Sequence, residues 1–73
     1  MTTIYRDLDL RQALDHKLRG ASARQLQDII EDAIDAQEDK TLPGLGYLFE
    51  LLWQRSDDAE RQAMLGKIAE ALA

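Results

Sequence analysis

The sequence predicts an all-α fold: a compact single domain of four short helices around a central, apolar third helix. Three observations predict it. Apolar residues recur at spacings of three and four through most of the chain, the period of one helix face. Glycine, proline and serine fall where such runs break off and restart. The second half of residues 42–53 is apolar nearly all the way round, the mark of a segment buried on most sides, whereas the other runs are one-faced. Residues 1–73 form one domain in this reading, with residues 1–6 as a flexible N-terminal extension.

The first helix is expected to start at Asp7 or Asp9, whose short carboxylate suits the free amides of a first turn. Leu10, Ala13, Leu14 and Leu18 form its apolar stripe. Lys17 and Arg19 suit the negative helix end, and Gly20 is placed to terminate the helix after about three turns. Ser22 opens the second helix with a capping-box spacing to Gln25. Leu26, Ile29, Ile30, Ala33 and Ile34 then give the cleanest helical period in the chain, opposite Gln27, Asp28, Glu31, Asp32 and Asp35.

The polar run 37–41 ends that helix. Proline pushes the preceding Leu42 towards extended geometry, and Pro43 suits the first position of the third helix, with Thr41 or Leu42 near the cap. Gly44 and Gly46 predict either a close approach by another backbone or an irregular turn that delays the helix to about Leu45. Leu45, Leu48, Phe49 and Leu52 make one face, which Leu51 and Trp53 extend. Ser56 followed by Asp57 and Asp58 reads as the cap of the fourth helix, which carries Met64, Leu65, Ile68 and Leu72.

Composition bounds the function. A chain of 73 residues buries only about 60% of its unfolded surface, so the core is thin. There is no cysteine, hence no disulfide framework and no thiolate chemistry. The start lacks the apolar core of a signal peptide and no apolar run reaches membrane-spanning length, so an intracellular address without membrane contact is expected. Net charge is −5, but residues 1–24 hold five basic groups against three acidic ones. The acidic remainder disfavours duplex DNA, while the basic third leaves a nucleoid-associated role as the alternative.

No catalytic, cofactor-binding or metal-ligating residue emerges. His16 is the only histidine and has no nucleophile at a defined offset. Asp28, Glu31, Asp32 and Asp35 share a helix face but lack the loop and glycine of a calcium hand, so they read as a solvated surface. Gly44-Leu45-Gly46 has neither the lysine nor the span of a phosphate loop. Tyr47 and Trp53 remain as candidates for contact with a protein partner, because aromatic anchors dominate interface energies. The plainer alternative is that both finish a small core.

These residues resemble the I-type family of minor small acid-soluble spore proteins of endospore-forming bacteria. The resemblance rests on Asp7-Leu8-Asp9-Leu10-Arg11, Asp32-Ala33-Ile34, Glu38-Asp39-Lys40, and the structural motif Leu42-Pro43-Gly44-Leu45-Gly46 with Leu48-Phe49-Glu50 and Trp53. Met64-Leu65 completes it. Residues 1–6, Tyr47 in place of a smaller apolar residue, and a C-terminus without a basic tail depart from the family pattern. The resemblance implies a protein made during sporulation and held in the spore core, with no assigned site residues. Together with the residues it leads to a non-enzymatic protein acting by abundance or by contact with an unidentified protein partner, ahead of nucleic acid. Oligomeric state is not legible in the sequence. The glycine run looks superficially like the entry to the sheet of histone-like nucleoid proteins, but residues 48–53 keep helical spacing and the rest is acidic.

Overall fold

Every apolar run becomes a helix. The computed structural model describes residues 2–73, with side chains from Asp9 onward. It comprises α1 (Thr2–Leu18), α2 (Ala23–Ala36), a 3-10 turn (Asp39–Thr41), α3 (Leu42–Gln54) and α4 (Asp58–Leu72), with no strand among the described residues. The connections are short, yet α1 packs on α3 rather than on its neighbour α2, and α1, α2 and the 3-10 turn all meet α3. The central place expected for the third helix is the one it takes.

The first boundary differs from expectation. Helix α1 starts at Thr2, so positions 7 and 9 lie inside it and neither caps it. Nothing in residues 2–6 breaks a helix, and extending an existing helix costs far less than nucleating one. Of the expected N-terminal extension, Met1 lies outside the described residues, and residues 2–6 are described as helical backbone. The other end is as expected: Gly20 terminates α1 with φ +83°, a left-handed conformation natural to glycine.

Helix α2 opens on a full capping box. The Ser22 N–H donates to Gln25 Oε1 at 2.9 Å, and the Gln25 N–H donates to Ser22 Oγ at 3.1 Å. It closes on Gln37 in the left-handed region, φ 51°, with its N–H on the Ile34 carbonyl. No glycine signals that ending, and a side chain there costs about 1–2 kcal/mol relative to right-handed backbone.

The Pro-Gly segment is more regular than expected. Leu42 is helical, φ −61° and ψ −41°, because the 3-10 turn feeds straight into α3 and the Leu42 N–H bonds the Asp39 carbonyl. That bond outweighs the local push from Pro43, whose missing N–H costs nothing in a first turn. Thr41 stands at the cap position without capping. Its hydroxyl turns back to donate to the carbonyls of Glu38 (2.8 Å) and Ala33 (3.3 Å), which binds the turn to α2. Neither glycine meets another backbone: a Cβ at Gly44 would lie 3.9 Å from Leu14 Cδ2, and one at Gly46 would meet nothing within 4 Å.

At the last junction Asp57, rather than Ser56, caps α4. Its carboxylate accepts from the Glu60 N–H and Glu60 returns the bond, each at 2.8 Å. Ser56 instead donates to the Leu52 carbonyl at 2.6 Å, sealing the end of α3. A serine one residue before an aspartate has two helix ends within reach, and the stronger acceptor takes the amides. Arg61 reaches back from α4: its Nε donates to the Trp53 carbonyl at 3.0 Å, and its guanidinium lies 5.1 Å from the centre of the Trp53 ring. Helix α4 is thus hung on the end of α3.

Candidate functional site

Two different sides of α3 carry the residues of interest. The α1 side is polar. Arg11 and Asp15 lie four apart on α1, and Tyr47 and Glu50 lie three apart on α3, so each pair shares a helix face. Across the seam the Arg11 guanidinium grips Glu50 with both arms, Nε to Oε1 at 3.1 Å and Nη2 to Oε2 at 2.7 Å. One turn further, the Tyr47 hydroxyl donates to Asp15 Oδ1 at 3.0 Å, while Arg19 pairs with Asp15 Oδ2.

The electrostatics follow from these partners. Asp15 is held below the usual carboxylate range, first by the bond from Arg19 and then by that from Tyr47. Glu50 is held low by Arg11. The Tyr47 phenol is pushed up, chiefly by desolvation and then by its bond to Asp15. The arrangement keeps both carboxylates charged and the phenol neutral. Nothing in it activates a nucleophile or poises an acid near neutrality. Arg11 and Arg19, two of the cations that favoured a polyanion, are thereby engaged by carboxylates of the chain itself.

The other side of α3 is apolar. Leu42, Leu45, Phe49 and Leu52 follow one another at spacings of 3, 4 and 3, a continuous seam along the helix. Leu45 is half-buried, but Leu42 is 60% exposed, Leu52 53% and Phe49 41%. Beside Leu42, α2 presents Ile34, which is 56% exposed, and the two residues help line one open cleft. Beside Phe49, α4 presents Leu65 and Ile68, and these three line another cleft with Trp53. Phe49 and Trp53 sit with ring centres 5.8 Å apart.

Of the residues singled out in the sequence, Trp53 is half-buried under Arg61 at the edge of this seam. Tyr47 is half-buried on the opposite side, bonded to α1. Pro43, Gly44 and Leu48 border the cleft between α1, α2 and α3, an apolar space of about 330 Å³ with Lys17 and Lys40 at its rim. His16 is exposed, as are Asp28, Glu31, Asp32 and Asp35, and among the described residues no cluster of His, Cys, Asp or Glu could hold a metal ion. No helix is long and apolar enough to cross a membrane, the described residues being those searched.

The exposed seam is what the sequence reading missed, since Phe49 and Leu52 were assigned to a core face. The signal was there: α3 carries apolar residues on more of its circumference than the short stripes of three neighbours can cover. Arg61 was missed as well, and its reach back to Trp53 has no local signature.

The family model described as small, acid-soluble spore protein I matches residues 8–72. The small, acid-soluble spore protein I of Bacillus mycoides is 45% identical over 64 residues, covering 88% of this chain and 93% of the relative. Those of Bacillus velezensis and Bacillus subtilis are 49% and 46% identical over 59 residues, covering 81% of this chain and 83% of each relative. No solved structure matches the chain.

Proposed function

The chain belongs to the small, acid-soluble spore protein I family, and on that premise we propose that it serves the spore core as a non-enzymatic protein that works by contact. The family is one of spore proteins and is not a known enzyme family. The observation that carries the reading is the open apolar seam of Leu42, Phe49 and Leu52 on α3, flanked by Ile34 and by Leu65 and Ile68. Scattered apolar residues are ordinary on a surface, whereas a continuous strip along one helix marks a place where another surface sits. Trp53 borders the strip and, with Phe49, supplies the kind of rigid aromatic anchor on which contact energy concentrates. Tyr47 holds α1 at the other side.

The test is a photo-activated cross-linker placed at position 52 of the protein in intact spores. A protein adduct at that position, absent when the cross-linker stands at the exposed Asp35 instead, supports the reading. Adducts to DNA from position 52, or none at all, overturn it.

A further inference from the structure

We propose that the partner on the α3 seam is a second copy of this chain, and that the protein is a two-fold symmetric homodimer. The inference rests on the contact reading above and names its occupant. Its first support is area. The chain exposes 6387 Å², whereas a folded monomer of 8.3 kDa exposes about 4,600 Å². The surplus is roughly 1,800 Å², and a standard interface takes only about 800 Å² from each partner. The radius of gyration says the same: 13.8 Å against about 11 Å for a closed domain of this length.

Its second support is the missing interior. Among the described residues no side chain is fully buried, not even on the most apolar helix. A small chain without a closed core does not hold its fold alone for long, and obligate homodimer interfaces are domain cores divided between two chains. The complement must then be at hand whenever the chain is, and another copy of the chain always is. A two-fold axis closes the pairing, because each seam covers its own image and leaves no free edge for further growth.

Its third support is charge. The acidic excess that would drive two copies apart lies on α2 and the turn after it, where residues 28–39 hold Asp28, Glu31, Asp32, Asp35, Glu38 and Asp39. Helix α3 bears one charge, Glu50, already held by Arg11. Glu38 and Asp39 of that run border the cleft at the Leu42 end, so the contact is centred towards Phe49 and Leu52, where α3 against its image confronts no unpaired like charges.

Sedimentation equilibrium of the purified full chain tests this. The expected mass at tens of micromolar is twice 8.3 kDa, with a thermal midpoint that rises with protein concentration. Leu52→Lys is expected to weaken association by about 30-fold or more, as loss of a large apolar anchor does. Leu51→Lys, off the 3-4-3 seam of the same helix, is expected to leave the mass unchanged and serves as the control. Should Leu52→Lys fail to fold by circular dichroism, the milder Leu52→Ala is expected to weaken association in the same measurement. A monomer at 100 μM or so with a concentration-independent midpoint overturns the proposal. A position-52 adduct to some other protein in spores would then still stand for the contact reading, and absence of both would sink both.

Discussion

Three of the four glycines make a test of how far the backbone follows intrinsic preference. Gly46 and Gly66 lie inside α3 and α4, neither has positive φ, and a Cβ on either would meet nothing within 4 Å. Nothing local therefore offsets the cost of glycine in a helix interior, about 1 kcal/mol relative to alanine. Gly46→Ala and Gly66→Ala are each expected to stabilise the chain by roughly that amount, which for a domain of this size raises the thermal midpoint by about 4–8 °C. Gly20 is the opposite case, since its φ of +83° is one that L side chains rarely adopt, and Gly20→Ala is expected to cost about 1–2 kcal/mol. Urea titrations followed by circular dichroism, at one fixed protein concentration, read all three. A midpoint lowered by Gly46→Ala or Gly66→Ala would refute the reasoning, because it would mean that something occupies the space beside that glycine.

Three further outcomes follow from the seams and caps. Asp15 and Glu50 have folded-state pKa values below their ordinary 3.8 and 4.5, so their stabilisation is present above those values and is lost as pH falls through the lowered ones. Stability should decline below about pH 4.5, and Glu50→Gln should flatten that decline in urea titrations at stepped pH. Arg19 is the larger cause of the shift at Asp15; Arg19→Ala should therefore raise the Asp15 midpoint, read by NMR, more than Tyr47→Phe does. Ser22→Ala and Asp57→Ala each remove the acceptor of a capping box and should each cost about 1 kcal/mol in the same denaturation assay.

The parts of the fold that were legible are those whose signals are local. The Ser22 box, the stop at Gly20 and the period of α2 involve residues within four positions of one another, and all appear as read. What failed at boundaries failed through competition. Ser56 had two helix ends within reach and took the carbonyl of the earlier one, leaving Asp57 to cap the later. Leu42 was pushed one way by Pro43 and the other by its bond to Asp39, and the bond prevailed. Asp7 and Asp9 are good caps, but a cap signal does not stop a helix already running through it.

The seam was illegible for a different reason. Helical spacing tells which residues share a face, not whether anything covers it, so the apolar circumference of α3 read as burial. The placement of α1 decides the matter. It packs on the side of α3 that carries Gly44, Tyr47 and Glu50, drawn there by Asp15 and Arg11 rather than by apolar area alone. Directional bonds of that kind fix register, whereas exposed ion pairs add little stability of their own. With α1 held at the polar edge and α4 hung on Trp53 through Arg61, the line Leu42–Leu45–Phe49–Leu52 is left between its neighbours. The run that carries the family resemblance thus does two things in this chain. Its small and polar positions receive α1, and its large apolar positions are left to receive something else.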